Sequence, residues 1–152
     1  MSIVVPVNNE NISDAAKIHS ISWQESHRSF CSDNFINEHS VDHQQEYINS
    51  KMKHGSRFFM LCDEIPVAVV SVTRNLIEDL YVLPDYQNRG YGSMLLEYAV
   101  AMVRQQSLIP TLWILENNFG AKRLYERKGF VPSGITNTIT GKLSELEYVL
   151  VK

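Results

Sequence analysis

The hydrophobic positions in the first third of the chain change from a strand pattern to a helical spacing. Residues 2–7 (SIVVPV) are short and β-branched, and they predict a first strand. Asn11 or Ser13 can cap a helix that runs to about Ser29. Apolar residues recur at helical spacing over residues 41–54, which predicts a second helix. The stretch between the two helices lacks a clean period and predicts a loop or a short helix.

The middle of the chain carries the pattern of strands. Three short apolar segments, residues 57–62, 66–73 and 77–82, are separated by turn-like pairs and predict three strands. Residues 84–92 (PDYQNRGYG) show no such pattern and predict a loop. A helix follows this loop, because apolar residues recur on one face at Leu95, Tyr98, Ala99 and Met102.

The last third alternates between strand and helix. Residues 111–115 (TLWIL) form an apolar run without alternation, as expected of a strand that is buried on both faces. Residues 117–129 predict a capped helix, and two strands follow over about residues 130–136 and 143–151. The element order predicts a mixed sheet with helices on its faces, in the α/β or α+β class. A length of 152 residues suits a single domain over residues 1–152.

The loop Gln87–Gly92 (QNRGYG) has the chemistry of an anion site. Its two glycines allow backbone angles that other residues avoid and let a ligand approach closely. The amides at the start of the next helix and the helix dipole favour a negative charge, and Arg89 adds a positive one. These features suit a pyrophosphate. The loop lacks the Gly-Lys-Ser/Thr ending of a nucleotide P-loop and the dinucleotide spacing, and taken alone it is equally well interpreted as a plain turn.

The surroundings of the loop resemble the GCN5-related N-acetyltransferase (GNAT) family. The family pattern is Gln/Arg-x-x-Gly-x-Gly/Ala after a strand with an apolar-Tyr-Val ending, and here residues 80–84 (LYVLP) precede QNRGYG. A second family feature is an Asn that ends a strand and a Tyr on the next helix. Residues 112–118 (LWILENN) and Tyr125 match it. The resemblance covers about residues 77–130, and the flanking elements agree in order only.

The resemblance implies a central, mostly antiparallel sheet whose middle strands part to admit acetyl-CoA as cosubstrate. The amides of residues 89–93 would hold the pyrophosphate, and the strand before the loop would pair with the pantetheine arm. An amide there can also polarise the thioester carbonyl. Tyr125 would protonate the departing thiolate. The expected cofactor-binding residues are Leu80, Tyr81, Val82, Gln87, Asn88, Arg89, Gly90, Tyr91, Gly92, Ser93 and Asn117.

The expected reaction also needs a base, because an alkylammonium with a pKa of about 10 must lose a proton before its nitrogen can attack. Glu78 lies on the strand just ahead of the acyl site, where many family members place a Glu, and it is the favoured base. Asp79 is adjacent, and a strand period of two sends it to the opposite face. Tyr125 has an alternative interpretation as a core residue that caps the helix packing.

The acceptor pocket is expected at the end of the first helix, where the family usually builds it. Trp23, His27, Arg28 and Phe30 cluster there and are the candidate substrate-binding residues, with packing and a solvated helix end as the alternative. The histidines show no paired ligand spacing, so no metal is expected. Cys31 has no evident basic partner to make it a nucleophile, and Cys62 lies in an apolar strand. Both are expected to be free thiols.

Composition narrows the class of protein. The hydrophobic content of 44% and charged content of 20% are ordinary for a globular domain. A formal net charge of −3 argues against nucleic acid as the main partner. The N-terminus has no signal-peptide pattern, and no window approaches the ~18 apolar residues that a membrane span needs. The protein is therefore expected to be cytoplasmic, without a membrane partner.

The expected function is acetyl transfer from acetyl-CoA to a primary amine, by direct attack in a ternary complex. The acceptor would be a small-molecule amine or a peptide amine, and a homodimer is left open. Two alternatives differ in class. A non-catalytic acyl-CoA-binding or sensing module would keep the glycine loop but need neither Tyr125 nor Glu78. An acetyltransferase that acts on a protein N-terminus or lysine would keep the chemistry and change the acceptor.

Overall fold

The computed structural model describes residues 2–28, 32–141 and 143–152. Within these residues the chain forms seven strands, five α-helices and a 3₁₀ turn at Pro84–Tyr86. The strands are β1 (Ser2–Pro6), β2 (Arg57–Asp63), β3 (Ile65–Thr73), β4 (Leu76–Val82), β5 (Thr111–Leu115), β6 (Val131–Thr140) and β7 (Leu143–Val149). The helices are α1 (Ile12–His27), α2 (Asp33–Asn37), α3 (Val41–Lys53), α4 (Tyr91–Arg104) and α5 (Phe119–Arg127).

All seven strands belong to one sheet, in the order β1-β2-β3-β4-β5-β7-β6. Every neighbouring pair is antiparallel except β4 and β5, which run parallel. The expectation of a central, mixed and mostly antiparallel sheet flanked by helices is therefore confirmed. In the described part of the chain, no helix combines the length and apolar character that crossing a membrane requires.

Helices cover both faces of the sheet, which explains the long apolar runs in its central strands. On one face, α4 packs its buried residues against the sheet, and Ala121 and Tyr125 of α5 pack against the same cluster. On the other face, α1 and α3 cover a second cluster. Alternation along β2 shows the division, since Phe59 and Leu61 belong to the α4 face whereas Phe58 and Met60 belong to the α1/α3 face.

Helix boundaries differ modestly from the expected ones. The segment between the first two long helices contains α2, so the short-helix interpretation holds for residues 33–37, while residues 29–31 lie outside the described ranges. Helix α5 begins at Phe119 rather than two residues earlier. Its N-cap is Asn118, whose side chain accepts a hydrogen bond from the Ala121 amide at 3.1 Å. Two adjacent asparagines are equally good caps in sequence, and the chain uses the second.

The sheet opens between its two parallel strands. In the described residues, β4 and β5 pair only at Leu76 and Thr111, beside a hydrogen bond from the Thr111 amide to the Asn75 carbonyl at 2.9 Å. Beyond this point the two strands diverge, and β5 continues to pair with β7 along its whole length. Two of the clefts of the molecule adjoin the gap between β4 and β5.

Candidate active site

The loop after β4 turns the chain sharply into α4. Asn88 and Gly90 have positive φ values of 63° and 87°, and Gly90 is the N-cap of α4. Asparagine and glycine are the residue types that adopt this conformation most readily. The first amides of a helix have no acceptor within the helix. Those of residues 91–93 therefore lie at the mouth of the adjoining cleft, where the helix dipole favours an anion.

Side chains brace this loop from several sides. Gln87 donates from Nε2 to the Val82 carbonyl at 3.1 Å, and Tyr91 donates its hydroxyl proton to Asp63 on β2. Arg89 donates to the Asp85 carbonyl at 3.2 Å and places its guanidinium 5.0 Å from the ring centre of Tyr86. Arg89 therefore stabilises the loop from outside.

Two clefts meet beside the loop. The loop cleft, of about 620 Å³, lies between the loop, the start of α4 and α5. The strand cleft, of about 440 Å³, lies between the diverging parts of β4 and β5 and reaches the end of α1. Residues that line both clefts mark their junction: Leu80, Val82, Gln87, Asn118, Ala121 and Tyr125. A ligand that extends from the loop cleft would enter the strand cleft at these residues.

The backbone of Val82 faces this junction. Leu83 donates its amide proton to the Val67 carbonyl of β3 at 2.9 Å. Because neighbouring residues of a strand direct their backbone groups to opposite sides, the groups of Val82 point towards the gap and β5. The Val82 carbonyl accepts hydrogen bonds from the side chains of Ser22, at 3.2 Å, and Gln87. Since these two donors occupy the carbonyl, the amide of Val82 is the backbone group that this strand end offers to a ligand.

Tyr125 stands at the junction on the α4 face of the sheet. Its ring packs edge-on against Phe130, with 5.9 Å between ring centres. Burial raises the pKa of Tyr125 to about 12, so its hydroxyl stays protonated throughout the neutral range. The position allows this hydroxyl to donate a hydrogen bond to a group that lies where the two clefts meet.

The expectation that Asp79 lies on the opposite face from Glu78 is wrong, because β4 contains a β-bulge. The register between β3 and β4 shifts between Val69 and Ser71, and Asp79 has a positive φ of 55°. A bulge inserts an extra residue and breaks the alternation of side chains. Glu78 and Asp79 consequently both reach Lys51, on the face that α1 and α3 cover.

Asp79 is the centre of a buried polar network. Its side chain is 8% exposed, and its two oxygens accept four hydrogen bonds from side chains of α1, α3 and β3. The donors are His19 at 3.1 Å, Tyr47 at 3.0 Å, Lys51 at 2.8 Å and Ser71 at 2.8 Å. Burial alone would raise the pKa of Asp79, but the hydrogen bond from His19 and the charge of Lys51 outweigh it and hold the pKa well below its usual value.

The pKa values of Lys51 and Tyr47 respond to Asp79. Burial would lower the pKa of Lys51, yet the adjacent Asp79 carboxylate more than offsets this effect and raises it. Burial, followed by the charge of Asp79, raises the pKa of Tyr47 to about 12. Lys51 therefore remains an ammonium and Tyr47 a neutral phenol at neutral pH.

Glu78 is placed differently from Asp79. Its side chain is 39% exposed, it lines the strand cleft, and one carboxylate oxygen accepts a hydrogen bond from Lys51 at 2.9 Å. Lys51 thus fixes the Glu78 carboxylate at the wall of the cleft. Because Tyr125 lies on the α4 face and Glu78 on the α1/α3 face, the strand cleft connects a donor and an acceptor of protons through the gap in the sheet.

The end of α1 closes the strand cleft. His27 lines the cleft, together with Ser22 and Ser26. Trp23 lies behind His27 and stacks on it, with 3.9 Å between ring centres, and it also stacks on His39 at 3.5 Å. Burial lowers the pKa of His27, and the nearby His39 and His19 lower it further, while a hydrogen bond to the Trp23 carbonyl opposes these effects.

Of the four expected substrate-binding residues, only His27 among those described lines the strand cleft. Arg28 is exposed and lies 3.6 Å from Glu25 of the same helix. Phe30 lies outside the described residues, as does Cys31. Cys62 is partly buried in β2, where burial raises the pKa of its thiol. Within the described ranges, His, Cys, Asp and Glu side chains form no group of three that could hold a metal ion.

Most of the expected cofactor-binding residues line one or both clefts: Leu80, Tyr81, Val82, Gln87, Asn88, Gly90, Tyr91, Gly92 and Ser93. Arg89 and Asn117 do not. In place of Asn117, its neighbour Asn118 lines both clefts, and in place of Arg89, Arg127 of α5 contributes a cation to the loop cleft. Local sequence does not mark Arg127, because residues two apart on a helix, such as Tyr125 and Arg127, do not face the same way.

Solved structures share this fold over nearly their whole length. The PaiA N-acetyltransferase of Thermoplasma acidophilum, crystallised with coenzyme A, has a TM-score of 0.76 and 16% identity, and the match covers 97% of this chain and 98% of that one. A GCN5-related N-acetyltransferase from Rhodopseudomonas palustris has a TM-score of 0.78, 19% identity and coverages of 98% and 94%. An N-acetyltransferase from Staphylococcus aureus Mu50 has a TM-score of 0.73, 14% identity and coverages of 99% and 98%.

At these levels of identity the structures establish the fold, and sequence models test the family. No curated protein matches the sequence significantly. The model of the acetyltransferase (GNAT) family, however, matches residues 18–130, which span the end of α1, the β4 bulge, the glycine loop and α5. The family resemblance seen in the motifs is therefore confirmed, and this chain belongs to the acetyltransferase (GNAT) family.

Proposed function

We propose that this protein transfers the acetyl group of acetyl-CoA to a primary amine. The observation that carries the proposal is the junction of the two clefts at Val82 and Tyr125. A thioester bound with its pyrophosphate at the loop would bring its sulfur and carbonyl to this junction. The strand cleft would then bring an amine to the same point from the side of Glu78.

The residues of the loop cleft suit the pyrophosphate and arm of acetyl-CoA. The amides of residues 91–93 and the dipole of α4 attract phosphate oxygens, and Arg127 adds a positive charge. The outward-facing amide of Val82 can donate a hydrogen bond to a carbonyl of the pantetheine arm. The coenzyme A in the Thermoplasma acidophilum relative supports this assignment by analogy of fold.

The proposed chemistry assigns a proton acceptor to one side of the sheet and a hydrogen-bond donor to the other. Glu78, directly or through water, accepts a proton from the ammonium, and the freed nitrogen forms a bond to the acetyl carbon. The bond from that carbon to sulfur breaks, and its electron pair leaves with the sulfur, towards which Tyr125 directs its hydroxyl. The nitrogen releases its second proton as the carbon–sulfur bond breaks, and the thiolate takes up a proton from solvent, which gives an acetamide and the thiol of coenzyme A. Alignment of the two reactants in one continuous cleft supplies much of the rate.

The single sheet supports two further proposals. Because every strand from β1 to β7 belongs to it, residues 1–152 are proposed to form one domain. Helices of this chain pack on both faces of the sheet around the gap between β4 and β5. The reaction site is therefore proposed to be complete within one chain.

Gly92→Val should abolish acetyl-CoA binding without unfolding the protein. A Cβ at residue 92 would meet the Val82 side chain at 3.5 Å, an ordinary contact, so the branched side chain of Val projects into the loop cleft. In the wild type, acetyl-CoA at about 100 times its dissociation constant should stabilise the fold by about 2.7 kcal/mol, visible as a raised melting temperature. Gly92→Ala, which the family pattern permits, is the control and should keep the shift. A full shift in folded Gly92→Val would remove the loop from the cofactor site.

Glu78→Gln should lower turnover about 10²-fold, because the amide cannot accept the proton of the ammonium. Acetyl-CoA affinity should stay nearly unchanged, and the acidic limb of the pH–rate profile should be altered. Glu97→Gln is a matched control, since Glu97 also forms an ion pair with a lysine, at 2.8 Å from Lys128, but outside both clefts. If both the rate and the acidic limb survive in Glu78→Gln, the base is another group.

A further inference from the structure

The strand cleft has an uneven distribution of charge. Its only charged lining residues among those described, other than histidine, are Glu78 and Asp79. No Lys or Arg of the described chain contributes to its wall. A positively charged or amine-bearing ligand therefore meets carboxylates there, whereas a ligand with its own carboxylate meets no fixed positive charge.

Lys51 does not change this balance for a ligand. Its ammonium lies 2.9 Å from a Glu78 oxygen and 2.8 Å from an Asp79 oxygen, and its side chain is only 20% exposed. It is absent from the residues that line the cleft. His19, which is hydrogen-bonded to Asp79, is also absent from the cleft wall, so within the described residues this network presents carboxylates and no free cation to a ligand.

His27 does not supply a positive charge either. It lines the cleft, but its burial lowers its pKa, so the imidazole is neutral at pH 7. It is also held by the Trp23 carbonyl, which accepts a hydrogen bond from Nδ1 at 2.8 Å. The other α1 residues of the cleft wall are Ser22 and Ser26, which carry no charge.

The opposite wall of the cleft is apolar. Leu112 and Ile114 pack into the core on the α4 face, so alternation directs Trp113 and Leu115 to the face that carries Glu78. Both line the cleft and are half-buried, and Tyr81 lies nearby on the neighbouring strand. An apolar or aromatic body attached to the amine would contact these side chains and exclude water from them.

We propose that the acceptor is a primary amine on an apolar or aromatic body, with no carboxylate on the carbon that bears the amine. This inference rests on the proposed acetyltransferase function. The acetyl group moves from sulfur to nitrogen, and an α-carboxylate would be held next to Glu78 throughout that step. Lys51 is already paired with Glu78 and Asp79, so a carboxylate of the ligand would lie beside Glu78 without a counter-ion of its own, and the cleft disfavours free α-amino acids.

Three acceptors of similar shape test the inference with acetyl-CoA as donor: phenethylamine, L-phenylalanine and L-phenylalaninamide. The amide matches the amino acid in size but lacks its negative charge. The expected kcat/KM of phenylalanine is at least about tenfold below that of each of the other two. Equal values for all three, preference for phenylalanine, or turnover confined to peptides or hydrophilic amines of a wider panel would overturn the inference and leave the acetyltransferase proposal standing.

Ser26 offers a test by gain of function. Ser26→Arg places a guanidinium at the cleft wall, and it should raise the ratio of kcat/KM for phenylalanine to that for phenethylamine by about tenfold. Ser26→Gln is the uncharged control and should leave the ratio unchanged. An unchanged ratio in Ser26→Arg, or the same increase in both variants, would contradict repulsion as the cause. Failure of the wild type to acetylate any amine while acetyl-CoA still raises its melting temperature would overturn both proposals.

Discussion

Tyr125→Phe should lower the rate of acetyl transfer about 10²-fold while leaving the affinity for acetyl-CoA nearly unchanged. The ring is retained, so its edge-on packing against Phe130 and the fold of α5 should persist. The variant lacks only the hydroxyl that would donate to the departing sulfur. Because that charge develops late in the reaction, the loss should fall on kcat and leave the Michaelis constant for acetyl-CoA almost constant.

The pKa of Tyr125 indicates how the hydroxyl acts. Burial raises the pKa to about 12, whereas a thiol such as that of cysteine has a pKa of about 8.5. Complete proton transfer from this phenol to a thiolate is therefore uphill, and a hydrogen bond to the developing charge is the favoured contribution. For the same reason, the wild-type rate should show no alkaline loss from ionisation of Tyr125 below about pH 11.

Single-turnover assays, limited by the chemical step, are the appropriate measurement. Tyr98→Phe is the matched control, since Tyr98 packs against Phe59, with 5.1 Å between ring centres, and lines neither cleft. Its rate should match that of the wild type. The defect of Tyr125→Phe should shrink with a thioester whose thiol is more acidic, because that leaving group needs less stabilisation. Equal rates for wild type and Tyr125→Phe would assign Tyr125 to the core alone.

The parts of the site that local sequence could predict are those encoded within a few consecutive residues. Gly90 adopts the left-handed backbone conformation that glycine tolerates best, which predicts the turn. The apolar spacing after it predicts the start of α4. Tyr125 lies on a helix whose apolar face was readable for the same reason. Such features depend on chain geometry over only one or two turns, so local sequence can predict them. In the structure, Gln87 of the loop and Tyr125 both line the junction of the clefts.

The β4 bulge could not be predicted in this way. Residues 76–82 (LIEDLYV) read as a regular strand, and nothing in them marks Asp79 as the residue with a positive φ. The bulge is stabilised by partners from elsewhere in the chain, chiefly His19 of α1 and Lys51 of α3, which are 60 and 28 residues away in sequence. Only the packing of three elements shows that both carboxylates share one face.

For a related reason, local sequence does not predict which of two adjacent residues of the same type faces a cleft. Asn117 and Asn118 are equivalent as caps, and the exact length of the β5–α5 turn decides which one faces the clefts. Arg89 looks like the cation of the loop because it lies within the motif. The structure instead uses it against Tyr86, and Arg127 arrives from α5. Local pattern thus predicts the kind of site, and tertiary packing decides its individual members.

Asp79→Asn should destabilise the protein by about 3 kcal/mol at pH 7, the lower end of the range for removing one partner of a buried ion pair. The substitution preserves shape but leaves Lys51 with Glu78 alone and turns a charged acceptor of four hydrogen bonds into a neutral amide. Two of the donors, His19 and Ser71, are almost completely buried and cannot turn to water. Urea unfolding measures the difference, with Asp42→Asn as an exposed control that should change stability by less than about 1 kcal/mol.

The pH dependence of the difference in unfolding free energy between wild type and Asp79→Asn shows whether the variant is destabilised by loss of the charge or by disturbed packing. The pKa of Asp79 is lowered in the folded protein, so its contribution is fully present above the unfolded pKa of about 3.9 and is lost as the pH falls towards the folded value. The stability gap between wild type and Asp79→Asn should therefore narrow progressively below about pH 4. A gap of similar size at pH 3 would show that the variant disturbs packing instead. A gap below about 1 kcal/mol at pH 7 would contradict the network as a stabilising element, since an Asp that merely fills space at the bulge would tolerate the isosteric amide.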